Sequence, residues 1–145
     1  MIVFTIASLS SCKKKDLPRQ IDYNAFFSCD SSKEWDSLQM ATRLTGTWQL
    51  YEMFCAWTGS KNTDTMDVEA TLDSSGNFVL KHHGVIEASG SWSVERPTPL
   101  DSTYFELKLS QGNDLLGGAV LVCADQVLFG ESSSDGCDKV YNRVQ

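Results

Sequence analysis

The stretch Met66-Asp67-Val68-Glu69-Ala70-Thr71-Leu72-Asp73-Ser74-Ser75-Gly76-Asn77-Phe78-Val79-Leu80-Lys81-His82 decides the fold class. Met66, Val68, Ala70 and Leu72 alternate with Asp67, Glu69 and Thr71, and a period of two puts the first set on one face of a half-buried strand. Asp73 to Asn77 is a turn-forming cluster, after which Phe78, Leu80 and His82 resume the alternation. The segment therefore reads as a β-hairpin.

The same period extends outward in both directions. Upstream, Thr47 to Phe54 reads as a strand. Downstream, Ile86 to Glu95 keeps small or apolar residues at even positions and serines and glutamates at odd ones. Pro97 and Pro99 break the chain, and Phe105, Leu107 and Leu109 then alternate with Tyr104, Glu106 and Lys108. Gly118 to Cys123, Gln126 to Phe129 and Asp138 to Val144 complete a set of eight short strands. The connections leave no room for crossover helices, which favours an antiparallel meander, and closing the meander removes both exposed edges. The expected fold is all-β, an eight-stranded antiparallel up-and-down barrel, with a sandwich as the competing architecture. A barrel of eight strands is just wide enough to be filled by side chains or to hold one small ligand.

Ahead of the strands, Ser31-Ser32-Lys33-Glu34 has capping-box spacing, in which a serine and a glutamate satisfy each other's backbone donors. Trp35, Leu38 and Ala41 or Thr42 follow at intervals of three to four. The pattern predicts a short amphipathic helix from about Ser32 to Thr42.

Leu44-Thr45-Gly46-Thr47-Trp48-Gln49-Leu50 resembles the opening of a lipocalin-like (calycin-type) barrel, whose first strand begins with Gly-x-Trp after a short N-terminal helix. The last strand of that superfamily carries an arginine that packs across the tryptophan. Here Asp138-Lys139-Val140-Tyr141-Asn142-Arg143 supplies Arg143. The resemblance spans residues 31–145, the expected barrel domain, and implies that Gly46, Trp48 and Arg143 close one end. An arginine on an indole face contributes roughly 0.5 to 2 kcal/mol. The middle of the chain has no match to the second conserved lipocalin loop, so the likeness is to bacterial lipocalin-like lipoproteins of undefined role. The ending Lys139 to Val144 is also similar to fatty-acid-binding proteins. Those barrels insert two helices after the first strand, and the gap from Cys55 to Thr65 is too short for them.

The amino-terminal residues carry an address. An apolar run, Ile2-Val3-Phe4-Thr5-Ile6-Ala7-Ser8, leads into Leu9-Ser10-Ser11-Cys12 and then Lys13-Lys14-Lys15. It resembles a bacterial lipoprotein signal, although no basic residue precedes the apolar run. The resemblance implies a signal peptide at 1–11, diacylglycerol on Cys12, and residues 12–30 as lipidated cysteine and tether. Two or three acyl chains, at about 0.8 kcal/mol per buried methylene, anchor durably where one does not. With Lys13 and not an aspartate after Cys12, the resemblance to envelope lipoproteins implies the outer membrane of a Gram-negative bacterium. The net charge of −7 repels phosphate backbones, which argues against a nucleic-acid partner.

With Cys12 acylated, Cys29, Cys55, Cys123 and Cys137 remain, and four cysteines in an exported chain allow three disulfide connectivities. The barrel chooses among them. Its first and last strands pair antiparallel, and setting Cys55 opposite Cys137 puts Trp48 opposite Val144 with Arg143 adjacent. The remaining bridge is then Cys29 to Cys123, tying the tether or helix to the barrel, and closing such long loops stabilises by roughly 2 to 4 kcal/mol.

The spacings hold no nucleophile elbow, P-loop, H-E-x-x-H or EF-hand, so neither an enzyme nor a cofactor is expected. Zinc spacing is lacking too: there is no C-x-x-C, and adjacent His82 and His83 on a strand would point to opposite faces. Asp64, Asp67 and Glu69 read as a solvated face before a calcium site. Trp92 lies on the apolar parity of its strand, while Trp57, after the first strand, is the candidate mouth residue. Two functional classes follow. One is a monomeric, membrane-anchored barrel taking a small hydrophobic or amphipathic ligand, as the resemblance implies; the other is a filled barrel whose outside meets an envelope protein or glycan. Interior volume discriminates between them.

Overall fold

The computed structural model describes residues 21–30, 32–61, 66–97, 104–131 and 136–145. Cys12 and the signal, Ser31 of the expected capping box, and Asp64 lie outside them. Nine strands form one antiparallel sheet: β1 Gly46–Cys55, β2 Gly59–Lys61, β3 Val68–Leu72, β4 Asn77–His82, β5 Val85–Glu95, β6 Phe105–Leu109, β7 Gly118–Cys123, β8 Gln126–Gly130 and β9 Cys137–Arg143. β1 pairs with β9, which closes eight of the strands into a barrel. The ninth, β2, is a three-residue strand that folds back on Met53 to Cys55, in the stretch expected to be loop. The closed eight-stranded antiparallel barrel is compatible with a lipocalin-like fold.

The alternating residues face where their period places them. Val68, Ala70, Leu72, Phe78, Leu80, Trp92, Val94, Phe105 and Leu107 are buried in one core with Trp48 and Leu50. At the first-to-last strand seam a β-bulge falls between Leu50 and Glu52. Below it Trp48 stands opposite Arg143, not Val144; above it Cys55 stands opposite Cys137. One extra residue at Tyr51 accounts for the difference, since a bulge sets two residues against one.

The helices depart from expectation. α2 spans Ser37–Leu44 and is capped by Asp36, whose side chain accepts from Gln39 N while Gln39 returns the bond to Asp36 N. The capping-box spacing is thus used by Asp36 and Gln39, with Ser32–Glu34 forming a 3-10 turn. The buried face is Met40 and Leu44; Leu38 is 74% exposed, and Trp35 precedes the helix, partly buried against the core. Arg96 pins the 3-10 turn by donating to the carbonyls of Lys33 and Trp35 while its guanidinium covers the Phe105 ring.

Residues read as tether form α1, Tyr23–Cys29, whose N-cap Asp22 accepts from Ala25 N. Ile21 and Phe26 pack on Leu121, Leu128 and Val140, on the outer wall of β7, β8 and β9. That wall is apolar on both faces because the helix covers its outside.

Candidate functional site

The two ends of the barrel are built differently. At the floor, α2 ends against β1 and Arg143 gathers its last carbonyls: Nη1 donates to Thr45 O and Nη2 to Arg43 O. The guanidinium carbon lies 4.2 Å from the Trp48 ring centroid, and Trp48 Nε1 donates to Leu44 O at 2.7 Å. Helix carbonyls lack intrahelical partners over the last turn, so these donors complete the helix as they close the barrel. Burial, and then the nearby Arg43, hold the Arg143 pKa below its ordinary value. Gly46 fits this approach in two ways: its φ is +140°, and a Cβ would fall 2.5 Å from Arg143 Nη1. The three residues expected to close the barrel are therefore in contact.

Above the floor the described core is closely packed. Trp48, Leu80, Phe105, Phe129 and Tyr141 expose none of their surface, and Phe78 and Leu72 only 1%. A water-sized void would leave accessible surface on its lining, and the first five of these side chains have none. The opposite end is plugged by the segment 110–117, whose Leu116 is buried in the core. Tyr141 Oη donates to Leu115 O, and Lys139 Nζ donates to Asp114 O at 3.3 Å. Lys139 is opposite Met53, is fully buried, and pairs with Glu131 at 2.6 Å. A buried ammonium needs such partners, since an unpaired one is strongly disfavoured. Desolvation, then the Glu87 charge, pushes the Tyr141 pKa well up.

The rim around this plug carries Trp57, 81% exposed on the turn between β1 and β2, where the mouth residue was expected. The β4–β5 hairpin reaches the same end with His83 and Gly84 in its turn, both at positive φ, followed by exposed Val85 and Ile86. His83 is thus in the turn and not on the strand, so the two histidine rings stack, 4.5 Å apart, instead of pointing to opposite faces. His82 lies 3.3 Å from Glu87 and His83 4.0 Å from Asp67. Among the described residues no group of three His, Cys, Asp or Glu is arranged to hold a metal ion.

A third feature lies on the outer wall. Between α1 and strands β7 and β8 runs a groove of about 420 Å³, lined by Tyr23, Phe27, Tyr104, Leu121 and Leu128 above the carboxylates of Asp30 and Asp138. Asp30 accepts from Ser32 Oγ and from Val122 N, a β7 donor beyond the reach of the short β6–β7 ladder. Asp138 accepts from Glu131 N and from the Tyr23 phenol. Burial, then this bond, pushes the Tyr23 pKa well up. Sequence reasoning missed the groove, although the unalternating Ala119-Val120-Leu121-Val122 and Val127-Leu128-Phe129 carried a signal: runs apolar on both parities need cover on both faces.

The disulfides are Cys29–Cys123 and Cys55–Cys137. The first fixes the end of α1 beside the β7–β8 turn; the second joins β1 to β9 at the rim. Comparison of this chain with protein-family models, with curated proteins and with solved structures finds no match.

Proposed function

We propose that this chain is a non-enzymatic, lipid-anchored envelope protein that acts through its outer surface, as an interaction module for an envelope protein or glycan. The close packing of the described interior carries the reading. A carrier of a hydrophobic molecule needs an enclosed apolar space of several hundred Å³, and here aromatic side chains and the 110–117 plug occupy the position where a barrel would hold it. Anchorage through acylated Cys12, in the outer membrane, belongs to the same proposal, as do the absence of a nucleic-acid partner and a monomeric state.

A native mass spectrum of the Cys12→Ser protein, purified without detergent, tests the central claim. The expected mass is that of the chain with two disulfides; a one-to-one small-molecule adduct lost on unfolding would return the carrier reading. Metabolic labelling with a fatty-acid analogue tests the anchor, because Cys12→Ser should lose both label and membrane retention. One observation favours a small amphipathic ligand as a second reading: the outer groove beside Phe27 and Tyr104 is large enough for one. Under that reading an adduct would disappear in Leu128→Arg with the barrel intact.

A further inference from the structure

We propose that the rim of the barrel lies against the bilayer, with Trp57, Val85 and Ile86 seated in the lipid interface. The inference rests on acylation of Cys12, and adds which end of the molecule the membrane meets. Two observations converge on the same end. The first is where the anchor segment joins the fold. α1 is pinned at its end, Cys29, to Cys123 beside the β7–β8 turn, and at its start the Tyr23 phenol reaches Asp138. Asp138 lies opposite Phe54, one place from the rim disulfide. The helix therefore runs from rim toward floor, and the chain that leads back to Cys12 departs from the rim half. Cys12 stands nine positions before Ile21, and nine extended residues span about 30 Å at most. The barrel is held close to its own anchor.

The second observation is what that end presents. Trp57, Val85 and Ile86 are 81%, 69% and 61% exposed, at the tips of two separate hairpins. The tip Ala56-Trp57-Thr58-Gly59-Ser60 carries no charge. On the other, the carboxylate of Glu87 lies 3.3 Å from His82 and, across the turn, that of Asp67 lies 4.0 Å from His83, and an imidazole offsets its carboxylate only when protonated. A tryptophan with an apolar body and a polar N–H suits the headgroup boundary, and flanking aliphatic tips deepen the contact. The partner is thus a zwitterionic lipid surface.

The acylated full-length protein, reconstituted into phosphatidylcholine vesicles with or without brominated acyl chains, tests this by tryptophan emission. Subtracting the Trp57→Phe spectrum isolates Trp57 from the three other tryptophans. Bromine should quench the Trp57 component by about half, as for a side chain several ångströms into the interface. Val85→Ser/Ile86→Ser should lose most of that quenching while floating with the vesicles as before. Acylated, vesicle-bound protein whose Trp57 is not quenched overturns the inference alone, whether Trp57 then emits as in water or is shielded by a second copy. Protein whose intact mass lacks acyl chains and which does not float overturns the anchor and the inference together.

Discussion

Floor and rim close the same barrel by opposite means. The floor is sealed by an apolar ring, Trp48, whose one polar atom and whose overlying arginine are both spent on the carbonyls at the end of α2. The rim is plugged by a polar loop held from inside by an ammonium and a phenol, Lys139 and Tyr141, each donating to a loop carbonyl. Packing decides the first closure and directional bonds decide the second. An apolar floor tolerates little loss of volume, whereas a bonded plug should suffer from loss of its donors even when shape is kept.

The largest test of that contrast is Trp48→Ala, which should destabilise by about 3 to 5 kcal/mol in denaturant melts of the oxidised protein, through lost burial and a residual cavity. A cost below about 1 kcal/mol would make the floor no seal at all. At the rim, Lys139→Ala should cost about 2 to 3 kcal/mol, since it removes both the partner of Glu131 and buried stem volume. Lys139→Met, which keeps the stem but strips Glu131 and the Asp114 carbonyl of their donor, should cost nearly as much, about 2 kcal/mol. A Lys139→Met cost near zero would mean that shape, not the bonds, holds the plug.

Arg143→Ala should cost about 1 to 2 kcal/mol, less than Trp48→Ala, because only the contact with the ring and the carbonyl bonds are lost. Measured in the four-variant cycle with Trp48→Ala, the double variant should be less destabilised than the sum. Strict additivity would separate the two residues energetically despite the 4.2 Å contact.

The smallest effect is alkaline. The Tyr141 and Tyr23 pKa values are raised in the fold above the ordinary value of about 10. Their stabilising share is fully present below that value and is lost as pH rises through the folded values. Phenolate absorbance should therefore report two of the four tyrosines ionising only as the protein unfolds. Tyr141→Phe should leave one such group, and Tyr23→Phe the other.

Strands were legible wherever one face is wet. Val68 to Leu72 and Phe105 to Leu109 alternate because water touches every second residue, and the floor was legible because Gly46, Trp48 and Arg143 are chemically distinctive. The rest was hidden for physical reasons. Lys139 lies on the inside of β9, where a charge ordinarily marks the outside, and only the partners supplied by Glu131 and Asp114, distant in sequence, make that possible. Nothing in Gln111-Gly112-Asn113-Asp114 itself announces a plug, and its role comes from Lys139 and Tyr141 reaching up to this segment. In α2, Leu38 looked like a core position until the cap at Asp36 fixed the helix phase and turned Met40 inward. α1, at seven residues, is too short to declare a period. Its evidence was the twice-apolar wall that it covers.

The extra residue at Tyr51 makes β1 two reading frames joined end to end. In the lower frame the even positions Trp48 and Leu50 are the buried ones; in the upper frame the odd positions Met53 and Cys55 are. A strand in a single frame that turned Trp48 inward would turn Cys55 outward, and Cys137, opposite it, with it. Floor and rim bridge are thus specified by separate grammars, and Tyr51 is the punctuation between them. Deleting that one letter would leave both words spelled correctly and the sentence unreadable.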